Sequence, residues 1–395
     1  MTTPFGPVDF DRFHTVEVPE RLAEHGTPDM GGLHPLAFRL DDGRAYTFRP
    51  AGDRLEVVAG DDGADTVVEL THPAWCDFVW ELQSCFALLY AGLATFPRGG
   101  LGQLSRWEPV LRAAFDGQAV YDLGAPPPVL DADGGPLDLG RSFTLDDPAG
   151  AVGDFLGRAG FVHLRGVFTD AEVAGLRAEV EAAVADARPD DRRSWWTTVD
   201  GEAVCSRVNY LNDRSALIAG LSDDDRLHRI GALGGPELRD AVDRLDGHTV
   251  VIKVPGATEG LVDLPWHRDC GMGGHPVKCP MLNVGIQLDR ATPEAGQLRM
   301  IAGSHLGTSR LPTARDVEGL PVVALDTEPG DVTVHWGHTL HAAPPPADPA
   351  AAGRRALYVT FVQPLTFELV GPGQGFNDVL FTRDEGRVRH VDELR

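Results

Sequence analysis

The stretch "LPWHRDCGMGGH", residues 264–275, ends an apolar run in a histidine, an arginine and an aspartate and then passes into glycines. In an extended strand, residues i and i+2 point to the same side. His267 and Asp269 therefore aim an imidazole and a carboxylate at one point. Both are ligands for a divalent metal, and a third ligand is needed. Downstream, "GDVTVHWGHTLHAAPPP" (330–346) offers His335, His338 and His341 after a Gly330-Asp331 turn. His335 and His341 share strand parity and His338 has the other, so parity alone does not choose. The next segment, "AGRRALYVTF" (352–361), reads as a strand opening with Arg354 and Arg355. An arginine beside a metal can clamp a carboxylate bidentately. Two histidines and one carboxylate on one face, with open positions left over, form the facial triad of non-haem Fe(II) oxygenases.

Working outward, the chain of 395 residues is long enough for two domains, and 43% hydrophobic residues can fill real cores. A formal net charge of −24 argues against nucleic acid or an anionic membrane as partner. Cys76, Cys85, Cys205, Cys270 and Cys279 are scattered, with no C-x-x-C, which fits reduced thiols. The N-terminal "MTTPFGPVDFDRFHTVEVPE" has no basic-then-apolar leader, and the longest apolar run, "CFALLYAGLATF", is too short to span a bilayer. The expectation is a soluble, cytoplasmic protein with a small-molecule substrate and no membrane insertion. Only two basic residues are lysines, Lys253 and Lys278, and they flank the H-R-D motif. Codon bias accounts for the scarcity, yet a lysine kept against it is a candidate for a task arginine cannot do.

Residues 36–70 read as short strands with tight turns, including an Asp-Asp-Gly hairpin signal. "HPAWCDFVWELQSCFALLYAGL" carries Trp75, Val79, Leu82, Phe86 and Leu89 at helical spacing, and a helix "LSRWEPVLRAAFDG" follows. Residues 1–123 are thus expected to hold a small α+β domain. The Pro-, Gly- and Asp-rich residues 124–144 read as a linker. The rest, 145–395, opens with a strand, "AGFVHLRGVF", and a helix capped by Thr169 with Glu172 completing a capping box. Val173, Leu176, Val180 and Val184 form that helix's apolar stripe. From about residue 248 the text is short β segments separated by turns, the pattern of a sandwich, barrel or jelly roll.

Residues 145–395 resemble the phytanoyl-CoA dioxygenase family of Fe(II)- and 2-oxoglutarate-dependent oxygenases. The matching pieces are "AGFVHLRGVFTDAEVAGLRAEV", "VIKVPG", "PWHRD", "PEAGQLRMIAGSH", "GDVTVHWGHTLHAAPP" and "RRALYVTF", in the right order. The resemblance implies a double-stranded β-helix, a jelly-roll or cupin-like fold with supporting helices, giving a β-rich α+β protein overall. It implies His267, Asp269 and His341 as catalytic iron ligands, His341 because it ends the family's T-x-H pattern. It implies Fe(II), 2-oxoglutarate and O2 as cofactors, with Arg354 on the cosubstrate's far carboxylate. Arg355, of opposite parity, is the fallback for that clamp, Lys253 a helper in holding the cosubstrate, and Asn283 a further contact. Gln287 shares the parity of Asn283. The family's Gly-Ser-x-x-Asn after the distal histidine is replaced here by "AAPPPAD", which puts fine contacts in doubt but not the triad. Related halogenases lose the aspartate, and Asp269 is present, so hydroxylation-type chemistry is favoured.

Residues 30–120 also resemble, on generic motifs, the sterol-carrier-protein lipid-binding domain. If that unit presents or gates a ligand, the substrate is a lipophilic small molecule of secondary metabolism. Two rival readings remain: a non-catalytic lipid or small-molecule binder, and a cupin-like metal isomerase with no need of Arg354. Several residues near the motifs have bland readings. His335 and His338 read as supports, His275 as a solvated loop residue, and His305 as a brace for its loop. Trp195-Trp196 and "RVNYLND" (207–213) read either as pocket lining or as ordinary packing.

Overall fold

The structure, a computed structural model, describes residues 5–257, 264–273, 275–277, 280–347 and 353–372. Lys278 and Cys279 lie outside the described residues. The chain divides into two compact units. The first comprises residues 1–125 together with 270–278 and 306–312, and the second comprises the remainder.

In the first unit, β1 (Leu36–Leu40), β2 (Ala45–Ala51), β3 (Arg54–Ala59), β4 (Thr66–Leu70) and β5 (Ala94–Arg98) form one mixed sheet in the order β3-β2-β1-β4-β5. β1 runs antiparallel to β2 and parallel to β4. One sheet face is covered by an aromatic core including Phe38, Phe48, Trp75, Phe78 and Trp107. The long helical pattern expected after residue 72 is two helices, His72–Val79 and Cys85–Tyr90. The break has a local cause. Glu81 adopts a left-handed φ of 62°, and the Ser84 hydroxyl caps the second helix by accepting from Ala87 N–H.

Charged and polar side chains fill that break. The Arg112 guanidinium is fully buried, donating to the Phe78 and Gln83 carbonyls and to Glu108. Gly271 and Val277 are bound here too, through Ser84 N–H to the Gly271 carbonyl (2.8 Å) and Val277 N–H to the Glu81 carbonyl (2.6 Å). His275 is buried within this unit, not solvated as its glycine-rich context suggests. Burial, against the opposing charge of Arg112, lifts the Glu81 carboxyl from 4.5 to about 7. A carboxyl whose folded pKa is raised favours folding most at low pH and loses that contribution as it ionises. Stability is therefore expected to fall as pH rises from 4.5 to about 7. Glu81→Gln is expected to flatten that slope in thermal unfolding measured across the same range.

The second unit contains β6 (Phe161–Leu164), β7 (Ser194–Val199), β8 (Glu202–Val208), β9 (Arg239–Asp240), β10 (Thr249–Lys253), β11 (Leu264–His267), β12 (Leu282–Gln287), β13 (Arg299–Ile301), β14 (Val322–Ala324), β15 (Val332–Trp336), β16 (His341–Ala343) and β17 (Arg354–Val362). Among the described residues they make two antiparallel sheets. The larger is ordered β6-β15-β12-β17-β10-β8-β7, with β9 beside β17, and the smaller β11-β16-β13-β14. One apolar cluster draws on both, with Val284, Val334 and Val359 from the larger and Met300 and Ala343 from the smaller. This is the jelly-roll architecture expected of residues 145–395.

The larger sheet is covered on its outer face by helices Ala149–Ala159 and Asp170–Asp186, whose buried residues join the same cluster. The Thr169–Glu172 capping box is present, and Val173, Leu176 and Val180 are buried as the stripe requires. The β7–β8 hairpin was not legible as such, because its arginines and polar residues mask the alternation. Trp195 is buried under the Arg207 guanidinium, 4.6 Å from the ring centroid.

Period-2 alternation explains how the sheet faces differ. On β17, Arg355, Leu357, Val359 and Phe361 share one face, and the three apolar ones join the core cluster. Arg354, Ala356, Tyr358 and Thr360 share the other. On β12, Val284 and Ile286 enter the core, whereas Asn283, Gly285 and Gln287 point the opposite way. A polar inner face on a central, fully buried strand is unusual, and it marks where the site lies.

Candidate metal centre

His267 and His341 are direct partners across the β11–β16 pair. Opposite residues of an antiparallel pair project to one side, and their rings lie 4.1 Å apart between centroids. Strand β11 ends at His267. Asp269 sits in the bend beyond it, its N–H held on the Gly337 carbonyl at 2.8 Å. The juxtaposition inferred from i, i+2 parity is thus achieved by a strand end plus an anchored bend.

One ligand atom from each of His267, Asp269 and His341 lies within 4.8 Å of the others. The Asp269 carboxylate is 3.4 Å from His267 Nε2 and 3.3 Å from His341 Nε2. The tautomers follow from the neighbours. His267 Nδ1 lies 2.7 Å from the Pro265 carbonyl and His341 Nδ1 2.9 Å from the Thr339 carbonyl. A carbonyl only accepts, so each Nδ1 carries the proton and each Nε2 presents a lone pair. Two lone pairs and a carboxylate converge, an arrangement that a cation completes. Burial would raise the Asp269 pKa, but the surrounding histidines, His341 first and then His267 and His335, hold it well below the ordinary carboxylate value. Burial, reinforced by the His267 charge, lowers His341 to about 3, which keeps its imidazole neutral, as metal binding needs. His267 moves the other way: burial is the largest single influence, but the Asp269 carboxylate and the Pro265 carbonyl together outweigh it and raise the pKa.

The remaining sequence candidates divide by face. Arg354 is buried on the inner face, its Nε donating to the Gly296 carbonyl at 2.9 Å. It shares a hydrogen bond with Tyr358, and burial lowers its pKa. Among the described residues no carboxylate is ion-paired with it. Lys253 is its cross-strand partner on β10, buried, with Nζ donating to the Ala343 carbonyl and its charge felt at His267. The structure does not bring Arg355 to this site. Arg355 lies on the outer face, paired bidentately with Asp289 (2.7 and 3.0 Å) and with Glu181 (2.7 Å). Asn283 donates through Nδ2 to Asp269 Oδ2 at 2.7 Å. Gln287 bonds locally to the Gly285 carbonyl and Thr333. His335 is buried against His341, with ring centroids 4.5 Å apart. His305 bonds the Gly157 carbonyl and braces its loop.

Tyr358 was missed by the sequence reading. Its phenol is within electrostatic reach of both Arg354 and Asp269, and burial raises its pKa. The signal was available, since Tyr358 has the parity of Arg354 on one strand. The ring lies over Gly285, where an added Cβ would meet Tyr358 Cε1 at 2.8 Å and Thr333 Oγ1 at 3.0 Å. Gly285→Ala is expected to overpack this face and cost about 1–3 kcal/mol, seen as a lower Tm.

The fold is a jelly roll in which His267, Asp269 and His341 form a candidate two-histidine, one-carboxylate metal site. Residues 156–349 match the model of the phytanoyl-CoA dioxygenase family. Its members use Fe(II), 2-oxoglutarate and O2. Similar solved structures include AviO1 from Streptomyces viridochromogenes Tue57, 26% identical over 55% of this chain and 96% of that one, with a TM-score of 0.46. Another is SnoN, described as a non-haem alpha-ketoglutarate-dependent epimerase from nogalamycin biosynthesis, 21% identical over 54% of this chain and 82% of that one, TM-score 0.42. A third is EctD from S. alaskensis with 2-oxoglutarate and 5-hydroxyectoine, 21% identical over 56% and 79%, TM-score 0.45. No curated protein matches the chain. The family match begins beyond residues 30–120, so the sterol-carrier resemblance of that unit stays without support. Among the described residues, no helix is long and apolar enough to cross a membrane.

Proposed function

We propose that the chain is an Fe(II)- and 2-oxoglutarate-dependent oxygenase acting on an unactivated C–H bond of a small, lipophilic or secondary-metabolite substrate. The observation that carries this is the convergence of His267 Nε2, His341 Nε2 and the Asp269 carboxylate on one point, with both Nδ1 atoms turned to backbone carbonyls. That donor set fits Fe(II), and its single carboxylate and two imidazoles leave positions for a chelating cosubstrate. Bound together, iron and 2-oxoglutarate supply activation of O2 for attack on the substrate.

The protein's part is to bind, orient and exclude water. Arg354 offers a buried guanidinium that has no carboxylate partner among the described residues, suited to the far carboxylate of 2-oxoglutarate. Lys253 adds a second buried cation beside it, within reach of His267. Tyr358 shares a hydrogen bond with the guanidinium and lies within electrostatic reach of Asp269. Hydroxylation is the default outcome. Desaturation, ring closure and epimerisation use the same centre and would be distinguished by product analysis. Phytanoyl-CoA itself is disfavoured as substrate, because a chain of net charge −24 with two lysines is poorly suited to a polyanionic carrier.

The test is succinate formation from 2-oxoglutarate by the purified full chain, with Fe(II) and O2 supplied and each omitted in turn. Succinate that requires both supports the proposal. Metal binding without any 2-oxoglutarate consumption favours the isomerase reading, and neither favours a non-catalytic binder.

A further inference from the structure

Three strands of the larger sheet place one polar row beneath Asp269. Strand register sets Asn283 of β12 opposite His335 of β15 on one side and Thr360 of β17 on the other. Directly opposed residues project to the same face, so all three side chains point inward. The Thr360 hydroxyl donates to Asn283 Oδ1 at 2.9 Å, and Asn283 Nδ2 donates to Asp269 Oδ2 at 2.7 Å. His335 Nε2 lies 3.5 Å from the same carboxylate oxygen. Asn283 and His335 are buried.

From this row we infer that Asn283 is a positioning residue for the metal-binding carboxylate, with its amide held in place by Thr360. The inference rests on the metal reading proposed above and assigns a role within it. A carboxylate only accepts, so the amide must face Asp269 with its nitrogen. The Thr360 hydroxyl then takes the oxygen end and disfavours a flip. Both ends of the amide are occupied, which assigns Asn283 to the ligand and not to a direct cosubstrate contact. The hydrogen bond fixes the carboxylate's rotation and engages Oδ2. Oδ1, 3.4 Å from His267 Nε2, is left available to the cation. A carboxylate held this way binds through one oxygen and keeps positions free for a chelating cosubstrate. Outer partners of metal ligands commonly act in this manner.

The experiment uses Co(II) as the probe, titrated into metal-free full-length protein and followed by its visible d–d bands. Asn283→Leu, Thr360→Val and the double variant are compared with wild type, and circular dichroism checks each fold. Asn283→Leu is expected to weaken Co(II) binding about 10–100-fold and to change the band shape. Thr360→Val, which keeps side-chain volume and does not touch Asp269, is expected to weaken binding less and in the same direction. The double variant should bind no worse than Asn283→Leu, because Thr360 acts through the amide. Wild-type-like affinity and spectrum in Asn283→Leu would overturn the inference, as would independent, additive losses in the double variant. Should Asn283→Leu not fold, an unchanged affinity and spectrum in Thr360→Val would overturn it alone. Absence of Co(II) binding to wild type would instead remove the metal reading on which the inference stands.

Discussion

Asp269→Ala is expected to lose metal-dependent activity altogether and to bind Fe(II) at least about 100-fold more weakly, since even removing an outer partner of a ligand costs 10–100-fold. The carboxylate is the one anionic member of the triad, and it is hydrogen-bonded or close to His267, His335, His341 and Asn283 at once. Its removal leaves two neutral imidazoles and no charge to balance the metal. Metal-binding isotherms and turnover, measured on the same preparations, check the result. Asp269→Ala retaining wild-type turnover would show that the carboxylate is not a ligand.

The second large effect is expected at Arg354. Truncating one partner of a buried, hydrogen-bonded charge pair costs about 2–5 kcal/mol, which is roughly 30-fold to several thousandfold in affinity. Arg354→Met should therefore raise the dissociation constant for 2-oxoglutarate by that factor while leaving Fe(II) affinity close to wild type, because the guanidinium bonds Gly296 and Tyr358 and not the triad. Arg354→Lys should recover part of the loss, limited by the missing planar fork. Arg355→Met should leave 2-oxoglutarate binding unaffected, since that side chain is committed to Asp289 and Glu181 on the opposite face. The reverse pattern, with Arg355 controlling cosubstrate affinity, would contradict this assignment.

Much of the second unit was legible because its chemistry is written in alternation. Strand parity separated Arg354 from Arg355 and gave Asn283 and Gln287 one face, and it anticipated the meeting of His267 and Asp269, which a strand end and an anchored bend achieve instead. The choice of His341 over His335 was not legible from parity, since the two share it. Cross-strand register distinguishes them: His341 stands opposite His267, while His335 stands opposite Asn283. The Thr360–Asn283–Asp269 row is invisible for the same reason, because register is a property of pairing and not of one strand. Asp331 shows the limit from another side. The Gly330-Asp331 pair reads as a turn, yet its carboxylate also accepts from His163 at 2.8 Å and from Gly166 N–H at 2.9 Å, tying β6 to β15. In the first unit the helical period carried through residues 72–93, and the break at Glu81 escaped it. Apolar spacing does not register a single left-handed residue or the serine cap that follows.

The most direct measurement is an anaerobic titration of Fe(II) and then 2-oxoglutarate into metal-free wild-type protein, followed in the visible region. The account predicts a weak charge-transfer band that needs both components, saturates at one equivalent of iron per chain, and is lost or weakened in Asp269→Ala and Arg354→Met. Iron bound without such a band, or a band indifferent to both substitutions, would contradict it.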